Sequence, residues 1–145
     1  MNVIRKIKIE DKEEIIKMME VFYSSPAVST NGSKEIFEND VNNCLNDSPY
    51  LEGFVLEING QTTGYAMIAK SFSTEWGKPC IWIEDIYVMD EFRRKGLADA
   101  FFKFIDEKYP DAIKRLEVED YNENAIKAYQ KNGFTYLPYK EMKKD

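Results

Sequence analysis

The order of apolar patterns along this chain predicts an α/β fold, a mixed sheet of about six or seven strands with helices on both faces. Two apolar runs, 53–58 and 63–69, flank the dipeptide Asn59-Gly60, which is the two-residue type I′ turn signal of an antiparallel hairpin. A second strand-like run, 81–88, passes through a basic, glycine-containing turn directly into a helical pattern. Read end to end, the periodicities run strand, two helices, three strands, helix, strand, helix and one or two closing strands. Hairpins mixed with strand–helix–strand units imply a sheet with both antiparallel and parallel neighbours.

Each element rests on its own residues. Val3, Ile7 and Ile9 mark a half-exposed strand over 2–9. Asp11 with Glu14 is a capping-box-like start, and Ile15, Met18, Met19 and Phe22 at helical spacing predict a helix over 11–23, stopped by Ser24-Ser25-Pro26. Phe37, Val41, Cys44 and Leu45 share a face of a second helix over 33–46, ended at Asp47-Ser48-Pro49. After the hairpin, 72–79 reads as a loop before the strand 81–88. Leu97, Phe101, Phe104 and Ile105 sketch the next amphipathic helix, ended by Pro110. Leu116 and Val118 alternate in a strand over 114–119, a helix over 123–131 ends at Asn132-Gly133, and 134–142 supplies the closing strands around Pro138.

Composition removes whole classes of chemistry. A chain of 145 residues has the length of one domain with a real core. At 43% hydrophobic and 32% charged it is globular rather than disordered. The absence of histidine excludes every His-based triad and the commonest general base. Cys44 and Cys80 match no metal-ligand spacing and read as buried small hydrophobes, so no metal site is expected. A net charge of −6 argues against nucleic acid as a partner and favours cationic small molecules. No apolar run reaches membrane-spanning length and residues 1–14 lack the apolar core of a signal peptide, so a cytoplasmic location is expected.

The segment 81–98, IWIEDIYVMDEFRRKGLA, carries the strongest functional signal. A helix's first turn leaves backbone N–H groups unpaired at the positive end of the helix dipole, so a turn holding Arg93, Arg94, Lys95 and Gly96 before Leu97 and Ala98 suits an anion. A solvated basic turn is the other reading of the same residues. Within the strand, Ile81 and Ile83 take one parity and Ile86 and Val88 the other, with Glu84-Asp85 at the change. A β-bulge produces such a phase slip, and so does a strand buried on both faces, where parity carries no information.

Arg93-Arg94-Lys95-Gly96-Leu97-Ala98 matches the R/Q-x-x-G-x-G/A signature of the GCN5-related N-acetyltransferases, preceded by a strand ending Ile86-Tyr87-Val88. Asn122-Glu123-Asn124-Ala125 through Tyr129, then Gly133-Phe134, resembles that family's N-x-x-A-x-x-x-Y…GF segment. The two motifs in this order, covering the C-terminal half, make the chain similar to that family. The resemblance implies a GNAT-like acyl-CoA N-acyltransferase fold in a single N-acetyltransferase domain over 1–145. It further implies acetyl-CoA as cofactor, with the diphosphate on 93–98, the pantetheine arm along Ile86, Tyr87 and Val88, and Asn122 close by. It makes Phe22, Tyr23 and the Ser24-Ser25-Pro26 corner candidates for contact with the acceptor, an ordinary helix-ending turn being the other reading of those residues; Asp85 is a further candidate on the acceptor side, and the segment 83–98 leans toward diamine or polyamine acceptors. Aminoglycosides, amino acids and protein N-termini or lysines stay open.

Direct acetyl transfer needs a group that accepts a proton from the amine and one that returns a proton to the departing sulfur. Without histidine, the first is a carboxylate, a tyrosinate or a relayed water; the resemblance makes Glu84 the first choice, because that family often has an acid at this strand position, and a structural ion pair is its alternative. Tyr129 suits the second, since a phenol of reference pKa about 10 can protonate a thiolate, though an aromatic at this spacing is also an ordinary core residue. Asn122 either touches the cofactor or caps its helix. A non-catalytic acyl-CoA-binding sensor or scaffold is the rival from another class. An exposed closing strand would also allow edge-to-edge pairing in a homodimer.

Overall fold

The computed structural model describes residues 1–145. Its elements are β1 (Asn2–Lys6), α1 (Lys12–Tyr23), α2 (Lys34–Leu45), β2 (Leu51–Ile58), β3 (Gln61–Ser73), β4 (Lys78–Val88), α3 (Leu97–Lys108), β5 (Ile113–Leu116) and α4 (Glu123–Lys131). The strands form one mixed sheet of five in sequence order. The first three pairings are antiparallel and β4–β5 is parallel, with α3 as the crossover.

Helices cover both faces. Ile15, Ile16, Met18 and Met19 of α1 and Phe37, Val41 and Cys44 of α2 pack with Val55, Tyr65, Met67 and Tyr87 on one side. On the other, Leu97, Phe101, Phe102 and Ile105 of α3 pack with Phe54, Leu56, Ala66, Ile68, Ile81 and Ile83. Tyr129 and Phe134 join that second cluster from its margin.

Local chemistry explains most boundaries. Asn59 and Gly60 take φ of +50° and +80°, the type I′ turn that the dipeptide announces. Ser33 caps α2, its hydroxyl accepting the Ile36 amide at 3.2 Å. Asp11 does not cap α1; its carboxylate accepts from the Lys8 amide and from Arg5, closing a 3₁₀ turn over Ile9–Asp11 that shortens the first strand to Lys6.

Two expectations change. Residues 134–142 form no strand, so the sheet has five strands rather than six or seven. Pro138 can donate nothing to a ladder, and the segment is fastened instead by Phe134 N–H to the Tyr129 carbonyl and by the Tyr139 hydroxyl to Glu75. Half of the expected loop at 72–79 is strand: Phe72 pairs with Pro79 and Ser73 with Lys78, leaving 74–77 as the turn.

Candidate functional site

The site begins with a one-residue irregularity in β4. Met67 pairs with Asp85 and Ile68 with Ile83, so Glu84 has no partner on β3. This is the bulge signalled by the parity change. Ile81, Ile83, Ile86 and Val88 consequently all pack toward α3, while Asp85 and Tyr87 turn to the α1/α2 side.

Beside the bulge the sheet forks. The parallel pairing of β4 with β5 ends at Ile83–Leu116, whereas β4 stays paired to β3 as far as Val88. From Glu84 onward one edge of β4 has no strand beside it. Glu84 and Glu117 are the first residues beyond the fork on the two diverging strands. A cleft of about 950 Å³ opens there, lined by Ile83, Glu84 and Ile86, by Glu117, by Asn122 and Tyr129 of α4, and by Phe22 and Tyr23 at the end of α1. Arg115, also in its lining, lies over the Trp82 ring at 4.4 Å. The Tyr121 hydroxyl donates to the Pro26 carbonyl, tying the α1–α2 loop to the segment after β5.

The turn after β4 is built for an anion. Arg94 and Gly96 take φ of +64° and +77°, and α3 starts at Leu97. None of the backbone N–H groups of residues 94–98 has an acceptor within the protein. They cluster at the positive end of a twelve-residue helix. Arg94 and Lys95 are exposed beside them. Arg93, also exposed, folds back along the surface onto β4: its Nε donates to the Val88 carbonyl at 2.9 Å, it pairs with Asp90 at 2.6 Å, and it lies over the Tyr87 ring. Its guanidinium therefore braces the end of β4.

The Tyr129 ring packs edge-on to Phe102 and Phe134, with centroids 5.8 and 6.0 Å away. Its hydroxyl makes no hydrogen bond within the protein yet reaches the cleft. Burial pushes the phenol above its ordinary value and keeps it protonated. Asn122 caps α4, its side-chain oxygen accepting the Ala125 amide at 3.4 Å.

The carboxylates divide by environment. Solvent reaches Glu84 through the cleft, but the walls strip part of its hydration and Asp85, Glu141 and Asp40 lie near, so its pKa is raised. Glu117 was not singled out by the sequence reading. A hydrogen bond with Glu141, then partial burial and the charges of Glu141 and Glu84, push it up to about 7. Parity places Glu117 opposite Leu116 and Val118, but the position of the fork is not readable from parity. Asp85 does not line the cleft. It is 3% exposed, and its two oxygens accept from Tyr23 at 2.8 Å and Tyr65 at 2.7 Å. Burial raises its pKa against the opposing pull of those hydrogen bonds.

The sequence model of the acetyltransferase (GNAT) family matches residues 14–134. A thialysine N-epsilon-acetyltransferase from Caenorhabditis elegans is 34% identical over 94 residues, covering 63% of this chain and 58% of that protein. The chain thus matches less than two thirds of that relative's length. Among solved structures, a possible acetyltransferase from Clostridium difficile 630 superposes with a TM-score of 0.83 at 20% identity, over 99% of this chain and 97% of that one. AAC(6′)-Iy, in complex with the bisubstrate analog CoA-S-monomethyl-acetylneamine, gives 0.80 at 15% identity, over 100% and 98%. At these identities the structural likeness is one of fold.

Proposed function

The chain belongs to the GNAT acetyltransferase family, and from that premise we propose that it is an acetyl-CoA-dependent N-acetyltransferase acting directly on a primary amine. The acceptor is a small cationic molecule or peptide, with diamines and polyamines as the favoured class. One observation carries the reading: Glu84, Glu117 and the unpartnered Tyr129 hydroxyl face one cleft, at the fork of a sheet whose next turn leaves five consecutive amides without acceptors.

Acetyl-CoA supplies an activated acetyl thioester. Its diphosphate suits the amides of residues 94–98, with Arg94 and Lys95 alongside. Its amide-bearing arm suits the open edge of β4 at Ile86, Tyr87 and Val88, where a peptide-like chain pairs as an added strand would. Leu97 and Ala98 keep the helix start compact, and Asn122 acts through its cap on α4.

Glu117 and Glu84 accept the proton of the incoming ammonium, directly or through water. A carboxyl near pH 7 is a better match to an alkylammonium of about 10 than one of ordinary acidity. The amine nitrogen then bonds to the carbonyl carbon, the carbon–sulfur bond breaks, Tyr129 gives its proton to the sulfur, and the proton that the nitrogen sheds as the amide forms returns to the phenolate directly or through water. Phe22 and Tyr23 offer ring surface to the acceptor's hydrocarbon stem. Asp85 serves the acceptor side from behind, by holding Tyr23.

The test mixes protein, acetyl-CoA and a panel of diamines, polyamines, aminoglycosides, amino acids and peptides, and follows free thiol. Turnover with at least one amine is expected. Tyr129→Phe should lower kcat by about 10²-fold while sparing coenzyme A affinity. Tight coenzyme A binding with no thiol release from any amine would make the protein a non-catalytic acyl-CoA-binding module.

A further inference from the structure

We infer that Asp99 is a positioning residue for Tyr129, acting through Asn132 and Lys131 to lock the last turn of α4 onto the first turn of α3. The inference rests on the reading of Tyr129 given above, and its geometry stands apart from it. Asp99 Oδ1 accepts from Asn132 Nδ2 at 2.8 Å and Oδ2 from Lys131 Nζ at 3.0 Å. The same Asn132 side-chain amide donates to the Ala128 carbonyl at 2.8 Å, and the Asn132 backbone N–H is shared between the Ala128 and Tyr129 carbonyls. One side chain thus ties the turn that carries Tyr129 to the helix that opens on the anion-binding amides.

This link matters because α4 is otherwise held to α3 through one aromatic group, Tyr129 and Phe134 against Phe102. It is nine residues long, has no fully buried residue, and a helix of that length is not stable alone. Its packing contact with α3 is Tyr129 against Phe102, one turn along from Asp99 on the same side of α3. Two fixed points define the axial position of α4; one would leave it free to pivot about the ring. Hydrogen bonds from Asn132 and Lys131 hold the Asp99 carboxyl below the usual range, so the lock is charged at neutral pH. Its side chain is 40% exposed, so removing it opens no cavity.

The experiment labels tyrosines with ¹³C at Cζ and assigns the Tyr129 resonance as the one that Tyr129→Phe removes. In Asp99→Ala the Tyr129 resonance should shift and its titration should move down toward that of an ordinary tyrosine, while Tyr65 stays unchanged. Asn132→Ala breaks the lock from its other side and should reproduce the change; Asp99→Asn, which keeps an acceptor for Asn132, should restore most of the native signal. With the best acceptor of the amine panel, Asp99→Ala should lower kcat about tenfold, with the KM for acetyl-CoA within about twofold, because misplacing a catalytic group by 1 Å costs up to about 10²-fold. In a Tyr129→Phe background the same substitution should cost nothing further. A Tyr129 resonance unmoved by both lock-breaking variants overturns the inference, as does an equal kcat loss in both backgrounds. If Tyr129→Phe keeps full activity, the proton-donor reading fails while the resonances still decide the lock.

Discussion

Gly64 lies under the site without touching it, and adding one methyl there tests how the sheet supports the cleft. A Cβ at Gly64 would sit 2.2 Å from the Tyr87 carbonyl oxygen, 3.1 Å from Val88 Cα and 3.2 Å from Tyr87 C. Ordinary contact begins near 3.4 Å, so the end of β4 must move by about 1 Å. It resists, because Gly64 pairs with Val88 in the ladder and the Met89 amide donates to the Thr63 carbonyl at 2.8 Å. Overpacking against side chains costs about 1–3 kcal/mol; against backbone we expect Gly64→Ala to cost about 3 kcal/mol. Urea unfolding followed by the fluorescence of Trp76 and Trp82 measures this. Because Ile86, Tyr87 and Val88 form the edge assigned to the cofactor arm, calorimetry should also show coenzyme A affinity reduced about tenfold, or ~1.4 kcal/mol. Gly60→Ala is the control: φ is +80° there but nothing lies within 4 Å, so it should lose about 1 kcal/mol of stability and no affinity. A Gly64→Ala protein with native affinity would refute the placement of the cofactor arm on this edge, and one of native stability would refute the packing argument.

Two further outcomes concern charge. Burial, then the charge of Asp85, pushes Asp40 up from 3.8 to about 6; its folded form therefore holds a proton more tightly, and the associated stability is present at low pH and lost as pH rises through 6. At about 1.4 kcal/mol per pH unit the ceiling is ~3 kcal/mol, and because the group is only half-buried solvent screening reduces this to ~1 kcal/mol. Asp40→Asn should thus raise Tm at pH 8 more than at pH 5, and an equal effect at both would remove Asp40 from this role. Glu141→Gln takes away the first cause of the raised Glu117 pKa, so the acid limb of kcat/KM should move below pH 7. An unmoved limb would mean that another group accepts the proton.

What the sequence made legible was local. The Asn59-Gly60 turn, the basic turn before Leu97 and the parity change at Glu84-Asp85 each involve neighbours along the chain, and each is present in the structure. Partnerships across the chain were not legible. Asp85 reads as a twin of Glu84, yet its environment is set by Tyr65, twenty positions away, and Tyr23, sixty-two positions away. Glu117 looks like a solvated strand residue until the end of the β4–β5 pairing places it beside Glu84. Residues 134–142 read as closing strands, but Tyr139 places its hydroxyl on Glu75 and Pro138 supplies no donor. Polar residues hid the extension of β3 and β4, because both faces of that outer hairpin meet water.

The bulge explains why cleft and register are specified together. Remove the extra residue from the β3–β4 pairing and every side chain beyond it changes face. Asp85 would then point into the apolar cluster of Phe101, Phe102 and Ile105, away from Tyr23 and Tyr65, and an unpaired carboxylate in such surroundings costs several kcal/mol. In the observed register Tyr23 and Tyr65 satisfy both of its oxygens. The penalty therefore falls on the slipped pairing alone. The buried acid that takes no place in the cleft is what holds Glu84 at the fork, and with it the open edge that continues through Ile86 to Val88.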